Sequence, residues 1–308
     1  MNFQTNSTED LAETQPTRPG QSVEEFQPVH VQRSPKDVAK KRKLPLWIFL
    51  FLVPLIYFFA PFRTNFLVLG IDGGLSRGEL GRTDTIILGT ISPFQPYVGL
   101  LSIPRDLWVP IPSVGENRIN TAYFFAEAEQ AGSGPGAAMD TVQQNFHVPV
   151  SYYIILHMDG LLGLVDALGG IDIQLSSPMA GYGIGTYHLD GVTALAFVRS
   201  RAGADDFSRM SQGQILLKAV AQRLLQRDTW THLPEIIQAL NAAVDMNIPY
   251  WQWPRLALAI LRAGPGGIDS HTITREMVHP FTTSQGAQVL GPDWGAIGDV
   301  VKTIFGNW

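Results

Sequence analysis

The sequence predicts an α/β fold: one layered α/β/α domain in which helices flank a central mixed β-sheet, preceded by one transmembrane helix. Short β-branched apolar runs follow a long uncharged segment, and strand-like runs then alternate with helical ones. Apolar runs without polar alternation are typical of strands buried on both faces, and strands that alternate with helices are typical of layered α/β domains. With 308 residues, 45% of them hydrophobic, the chain can bury a large core.

The N-terminal segment differs from the rest of the chain. Residues 1–43 are rich in Gln, Thr, Ser, Pro and Glu and lack apolar periodicity, which predicts a disordered tail. Residues 44–62 contain no charged side chain, and at about 1.5 Å per residue they reach across about 30 Å of hydrocarbon. A cleaved signal peptide is the alternative, but the run exceeds the usual ~15-residue apolar core and no small-residue cleavage site follows.

The charges around this run predict its orientation. A basic cluster from Lys36 to Lys43 precedes it, and only Arg63 lies directly after it. Because cytoplasmic flanks carry the excess of Lys and Arg, the N-terminus is expected in the cytoplasm. The chain is therefore predicted to be a single-pass cell-membrane protein, with a cytoplasmic tail (1–43), a transmembrane helix (44–62) and an extracytoplasmic domain (63–308).

Three buried strands are predicted at the start of this domain, at residues 66–71, 85–91 and 97–103. The five residues between the second and third strands suit an antiparallel hairpin. If the loop 72–83 also reverses the chain, the strands run up, down and up. Four charged residues then lie at one edge of the sheet: Asp72, Arg82, Asp84 and Arg105.

The remaining elements follow from the same patterns. Helices are predicted at 120–130, 137–146, 160–168, 189–199, 207–227 and 293–305. Further strands are predicted at 152–156, 171–175, 272–278 and 288–290. Residues 229–271 read as additional helices, and no second extracytoplasmic domain is evident.

Arginine dominates the cationic residues that follow the predicted membrane span, with 13 Arg against 2 Lys. The guanidinium group is a rigid fork that binds phosphate oxygens in pairs. Arginines that flank predicted strands and helices are Arg105, Arg199, Arg201 and Arg209. Three or four converging arginines suffice to hold a diphosphate. The alternative is a surface ion-pair network with Asp190, Asp205 and Asp206.

Asp72 and Asp84 are the candidate metal ligands. Mg²⁺ prefers one or two carboxylates, with water and phosphate oxygens completing its coordination, and Mn²⁺ is an alternative. Taken singly, each aspartate is more typical of a turn. A zinc or thiolate site is not expected, because the chain has no cysteine and its seven histidines include no pair at helical i, i+4 spacing.

The ordered motifs resemble those of the LytR-CpsA-Psr family of membrane-anchored phosphotransferases. The resemblance extends over residues 65–227 and is carried by Leu69-Gly70-Ile71-Asp72, Arg82-Thr83-Asp84-Thr85, Leu101-Ser102-Ile103-Pro104-Arg105-Asp106, Arg118-Ile119-Asn120, Val165-Asp166-Ala167-Leu168-Gly169-Gly170-Ile171, His188-Leu189-Asp190-Gly191, Ala194-Leu195-Ala196-Phe197-Val198-Arg199-Ser200-Arg201 and Asp206-Phe207-Ser208-Arg209.

The resemblance implies a function and a set of roles. Members of the family move glycopolymers, such as teichoic acids, from a polyprenyl (undecaprenyl-type) diphosphate carrier to peptidoglycan in cell-wall assembly. By resemblance, Asp72 and Asp84 hold Mg²⁺, and Arg82 lies beside the metal and positions or activates the acceptor hydroxyl. Arg105 and the other three arginines bind the diphosphate. Catalysis is thus assigned to Arg82, Asp84 and Arg105.

One motif departs from the family pattern. After the position of Arg209 the family continues x-x-Arg-Gln, whereas this chain has Gln212 and Gly213 in those two places. The departure removes one positive charge near the phosphates. Either Gln212 or Gln214 is expected to supply the missing side-chain donor to the diphosphate.

Three other functions are compatible with parts of the pattern. A lipid-diphosphate hydrolase would use water in place of the glycan acceptor, and a receptor would bind a polyprenyl-linked glycan without cleaving it. A DNA-binding regulator is disfavoured, because the net charge is −5 and the only substantial basic cluster precedes the predicted span. The expected partners are therefore the lipid-linked donor, peptidoglycan and the membrane, and not nucleic acid.

Overall fold

The computed structural model describes residues 46–71, 81, 83–200 and 206–306. Its α-helices are α1 (Leu46–Phe59), α2 (Thr121–Glu129), α3 (Gly134–Phe146), α4 (Met158–Ala167), α5 (Gly191–Arg199), α6 (Asp206–Leu224), α7 (Leu233–Ala243), α8 (Trp253–Ala263) and α9 (Trp294–Phe305). Its strands are β1 (Thr64–Ile71), β2 (Thr83–Ser92), β3 (Tyr97–Ile103), β4 (Trp108–Ile111), β5 (Gly115–Arg118), β6 (Tyr152–His157), β7 (Ile171–Leu175), β8 (Gly185–Leu189), β9 (Val244–Met246), β10 (Ile268–Thr272), β11 (Val278–Thr282) and β12 (Gln288–Pro292).

The central sheet has six strands in the order β10-β3-β2-β1-β6-β9. It is mixed: β1 pairs antiparallel with β2 and parallel with β6, while β3 pairs antiparallel with β2 and parallel with β10. The predicted up, down, up order of the first three strands is confirmed. As a result, β1, β3, β6 and β10 all end at the edge of the sheet where β2 begins. We call this edge the rim.

Helices cover both faces of the sheet, as predicted for a layered α/β/α domain. All eight residues of β1 are buried because their side chains alternate between two cores. Leu67 and Leu69 pack in the core that includes residues of α2, α3 and α9. Phe66 and Val68 pack in a separate core that includes Leu256 of α8. A third core joins α4, α5, α6 and α7 with the β7–β8 hairpin.

A close helix crossing in the third core provides a test of the packing. The backbone of α7 at Ala243 lies against Gly160 of α4, so an added Cβ at Gly160 would overlap Ala243, whereas one at Gly163 would meet no atom within 4 Å. We expect Gly160→Ala to destabilise the protein by about 1–3 kcal/mol through overpacking. Gly163→Ala on the same helix should stabilise it by about 0.5–1 kcal/mol. Urea titrations measure the free energy of unfolding of both variants, and equal changes would contradict the close contact between α4 and α7.

The helix near the N-terminus falls within the predicted membrane span. α1 has 14 residues, and large apolar side chains such as Leu50 and Phe51 are exposed on it. None of the helices within the described ranges combines the length and the apolar character needed to cross a membrane. The predicted span at 44–62 stays a prediction, and its first two residues lie outside the described part.

Three predictions were wrong. The helix predicted from residue 189 begins at Gly191, because Leu189 ends β8 opposite Ile171 and Asp190 caps the helix by accepting a hydrogen bond from the Thr193 N–H. The strand predicted at 272–278 is the connection between β10 and β11, which bends through a short 3-10 turn at Arg275–Met277. Residues 229–271, predicted as helices, also contain β9 and most of β10. The β4–β5 hairpin had no strand signal, since β5 reads Gly-Glu-Asn-Arg.

Candidate functional site

The rim brings together Asp84 and Arg105, two of the predicted catalytic residues. Asp84 is the second residue of β2, and Arg105 follows the end of β3 by two residues. Pro104 lies between, and because it has no N–H it suits the end of the strand pairing. An Arg105 Nη1–H donates to Asp84 Oδ1 at 2.7 Å. The two side chains are 26% and 40% exposed, so a ligand can reach both.

Two further charged residues extend this ion pair, and the sequence analysis assigned them no role. Arg105 Nε lies 3.6 Å from Asp106 Oδ2, and Arg118 Nε lies 3.1 Å from Asp106 Oδ1. Charges therefore alternate in sign from Asp84 to Arg118. Both residues belong to the quoted motifs, and Asp106 directly follows Arg105. This adjacency was the sequence signal that could have identified Asp106 as part of the site. Only the fold shows that Arg118 belongs to the same network.

Arg199 lies at the same rim, on the other side of β1. Its Nη2–H donates to Asp159 Oδ1 at 3.0 Å, and Asp159 follows the end of β6 by two residues. Because β2 and β6 are separated only by β1, the strands next to the two ion pairs are about 10 Å apart. Asp159 was not predicted from the sequence.

Asp190, a member of the alternative ion-pair network, has a different role. It lies at the opposite end of α5 from Arg199 and accepts hydrogen bonds from the N–H and the hydroxyl of Thr193. The hydrogen bonds from the Thr193 side chain and backbone lower the pKa of Asp190. Its carboxylate therefore serves as a helix cap rather than as the partner of Arg199.

Helix α6 approaches the rim from the face that carries α8. A Cβ atom added to Gly213 would lie 3.4 Å from Cγ2 of Thr85, the residue after Asp84, so this face of the helix meets β2. Arg209 precedes Gly213 by one helical turn and therefore lies on the same face of the helix. Partly buried Arg209 therefore lies on the helix face that meets Thr85.

The two glutamines of this helix are both buried. The Gln214 amide donates to the carbonyl of His271, and its Oε1 accepts from the Thr272 hydroxyl at 3.1 Å, so the side chain holds the end of β10. Gln212 is fully buried, and within the described part of the chain neither its Oε1 nor its Nε2 has a hydrogen-bond partner. Their predicted contact with a diphosphate stays a prediction.

The buried amide of Gln212 leads to a stability prediction. Because an unpaired buried polar group costs about 1–3 kcal/mol, we expect Gln212→Met, which keeps the length of the side chain, to raise the free energy of unfolding by about that amount. Gln214→Met should lower it, since this change removes hydrogen bonds to β10. Chemical denaturation of both variants measures the contrast, and destabilisation by Gln212→Met would show that the amide is satisfied.

Three predicted site residues lie outside the described residues: Asp72, Arg82 and Arg201. Each is next to or close to a described part of the rim, because β1 ends at Ile71, β2 begins at Thr83 and α5 ends at Arg199. Their predicted roles in metal binding, catalysis and diphosphate binding remain predictions.

The described donor groups fit a Mg²⁺ ion. Among residues 46–71, 81, 83–200 and 206–306, no cluster of three or more His, Asp or Glu side chains is poised for a metal. Mg²⁺ does not require one, since it is held by one or two carboxylates plus water and phosphate oxygens. Among the described residues, Asp84 accepts from Arg105 through Oδ1, and its Oδ2 is a hard oxygen ligand of the kind that Mg²⁺ prefers at the exposed rim.

The chain is similar in sequence to known proteins. A sequence profile of the LytR_cpsA_psr family matches residues 61–303. The polyisoprenyl-teichoic acid–peptidoglycan teichoic acid transferase TagU of Enterococcus faecalis is 32% identical over 200 residues, which are 62% of this chain and 64% of that protein. The matched region thus spans slightly less than two thirds of this relative.

Solved structures share the fold. The crystal structure of B. subtilis TagV matches with a TM-score of 0.65 and 24% identity, covering 79% of this chain and 96% of that one. A structure of TagT bound to LIIa-WTA matches with a TM-score of 0.63 and 22% identity, covering 79% of this chain and 89% of the other. At these identities the comparison supports the architecture of the domain.

Proposed function

This chain belongs to the LytR-CpsA-Psr family, and we propose that it is a phosphotransferase that moves a glycopolymer from a polyprenyl diphosphate carrier to peptidoglycan. The observation that carries the proposal is the Arg105–Asp84 pair at an exposed rim, with Arg199 at the same edge. A carboxylate and several guanidinium groups are the side chains that diphosphate chemistry needs. The relative TagU is itself named as a teichoic acid transferase.

The proposed reaction breaks a phosphoanhydride bond and forms a phosphodiester bond. An acceptor hydroxyl forms a bond to the phosphorus that carries the glycan, and the bond from that phosphorus to the lipid-linked phosphate breaks. The hydroxyl proton is transferred to the departing polyprenyl phosphate. Because the diphosphate is already activated, no nucleotide is consumed.

The side chains at the rim act on charge and position. Arg105 and Arg199 approach the rim from either side of β1, so they can bind oxygens of the two phosphates and stabilise the charge that develops during transfer. Arg209 on α6 adds a third cation. A Mg²⁺ ion held by Asp84 Oδ2, with Asp72 as its predicted second ligand, would neutralise the diphosphate further.

We also propose that the domain is attached to the membrane through α1, with the N-terminus in the cytoplasm. The exposed apolar side chains of α1 and the basic cluster before it support this arrangement. Arg255 Nη2 donates to the carbonyls of Ala60 and Phe62 at 3.2 and 2.7 Å, which ties the end of this segment to α8. Extraction of the native chain from membranes with alkaline carbonate tests the attachment, and release would contradict it.

Transfer can be measured with the full chain in detergent, a polyprenyl diphosphate donor with a labelled glycan, and peptidoglycan, with Mg²⁺ or with a chelator. We expect Mg²⁺-dependent attachment of the label to peptidoglycan. Release of free glycan phosphate without attachment would indicate a hydrolase instead. Donor binding without cleavage of the diphosphate would indicate a receptor.

A further inference from the structure

A cleft of about 390 Å³ opens beside the Asp84–Arg105 pair. Its walls are the β4–β5 hairpin and the turn of the β11–β12 hairpin, residues 283–287. The cleft is lined by Asp84 of β2 and by Arg105 and Asp106 after β3, whereas Arg199 pairs with Asp159 after β6, beyond β1. The cleft therefore leads to the reacting centre from the side away from Arg199.

The two walls are joined to each other. Leu107 and Leu290 form a β-bridge, and the Leu290 N–H donates to the Asp106 carbonyl at 3.0 Å. Arg118 Nη2 donates to the Gln288 carbonyl at 2.9 Å. These links hold the hairpins in place without a ligand, and a preformed site loses less entropy on binding.

The side chains of the walls combine an aromatic ring with neutral and acidic polar groups. The partly exposed indole of Trp108 packs edge-to-face on Phe281, with ring centroids 6.3 Å apart, and its Nε1–H donates to Glu116 Oε2 at 3.2 Å. Asn117 lies beside it, and hydroxyl and amide groups line the opposite turn. An aromatic surface with a few oriented polar groups suits a sugar ring, which has an apolar face and a hydroxylated edge.

A buried acceptor atom in the lining of the cleft indicates a hydroxyl ligand. Asn120 is one of the lining residues and is 5% exposed, and its Oδ1 has no hydrogen-bond partner among the described residues. Its backbone is fixed next to the site, because the Asn120 N–H donates to the Arg105 carbonyl at 3.3 Å and its carbonyl accepts from Thr83 Oγ1 at 3.3 Å. Buried carbonyl oxygens are almost always paired, and a donor from a ligand would complete this one.

We propose that this cleft binds the saccharide acceptor and that Asn120 helps to position its attacking hydroxyl. The attacking and leaving oxygens must lie on opposite sides of the transferred phosphorus. With the diphosphate held between Arg105 and Arg199, the cleft supplies the approach from the other side. The lining of the cleft carries three carboxylates, Asp84, Asp106 and Glu116, against two guanidinium groups, Arg105 and Arg118, and this balance favours a neutral glycan there over a chain of phosphates. The inference rests on the proposed transferase function.

The test compares the native full chain with Trp108→Ala, Trp108→Phe and Asn120→Ala. Transfer rates are measured against the concentration of soluble, uncross-linked peptidoglycan chains and, separately, against the donor. We expect Trp108→Ala and Asn120→Ala to raise the KM for the acceptor roughly tenfold and to change the KM for the donor less than about twofold. Trp108→Phe should stay near the native value. Trp251→Ala, at an exposed tryptophan next to α8, serves as the control.

Calorimetric binding of the same glycan chains without donor separates this inference from the proposed function. If the native chain binds glycan through Trp108 but transfers nothing, the cleft assignment holds and the transferase proposal fails. If the native chain transfers while Trp108→Ala leaves the acceptor KM unchanged, the cleft assignment is overturned. A rise confined to the donor KM would assign the cleft to the donor glycan, and absence of both binding and transfer would overturn both proposals.

Discussion

Arg105→Ala is expected to lower kcat/KM for glycan transfer by about 10²–10³-fold, the usual effect of removing one group that stabilises charge in a transition state. The change removes the cation that donates to Asp84 at 2.7 Å and lies beside Asp106. Two carboxylates then face the bound diphosphate without their shared counter-ion. Both the affinity for the donor and the rate of transfer should fall.

The variant Arg105→Lys separates charge from geometry. Lysine keeps one positive charge but lacks the planar fork that spans two oxygens, so an intermediate loss is expected. Arg227→Ala, at an exposed position on the loop after α6, is the matched control and should retain native transfer. Steady-state kinetics with the labelled donor provide the measurement. Native activity in Arg105→Ala would exclude this arginine from the reacting site.

Asp84→Asn is expected to lower transfer at a fixed Mg²⁺ concentration by about 10²-fold and to shift the required Mg²⁺ upward. The amide can still accept the hydrogen bond from Arg105, so the ion-pair geometry is kept while the negative charge is lost. Mg²⁺ binds carboxylate oxygens far better than it binds amides, because its ligation is dominated by charge. The change therefore tests metal binding apart from folding.

Two measurements carry this test. The first is a Mg²⁺ titration of transfer, in which excess metal should restore part of the activity. The second needs no turnover: Mg²⁺ with a non-cleavable diphosphate should raise the Tm of the native chain and not that of the variant. Asp172→Asn is the control, since Asp172 forms an exposed pair with His188 on the β7–β8 hairpin. Equal Mg²⁺ dependence in native and Asp84→Asn would remove Asp84 from the metal site.

Much of the rim was predictable because its residues are close to strand ends along the chain. The burial of β1, β2 and β3 and the short turn between the last two imply that Asp84 and Arg105 share an edge, and the structure confirms this with a direct ion pair. The arginine of α5 was identified by its type and its position at the end of a helix.

Strand boundaries near polar or capping residues were harder to predict. Asp190 is both the residue after β8 and the cap of α5. Because the apolar pattern continues across it, the predicted helix began at Leu189, two residues too early. The β4–β5 hairpin was not predicted from the sequence. The polar strand β5 is held by long-range contacts, such as the hydrogen bond from Arg118 to Gln288, rather than by local strand propensity.

The sequence by itself determined the layered α/β class, the apolar segment before the domain, and the grouping of Asp84 and Arg105 at one sheet edge, because these follow from local periodicity and chain reversal. Only the tertiary structure decided which counter-ion each arginine binds, that Gln212 is sealed in the core, and that two distant hairpins form a cleft at Asn120. Such contacts join residues about 170 to 180 positions apart, as in the bonds from Arg118 to Gln288 and from Leu290 to Asp106. They depend on how the layers pack, which no local pattern encodes.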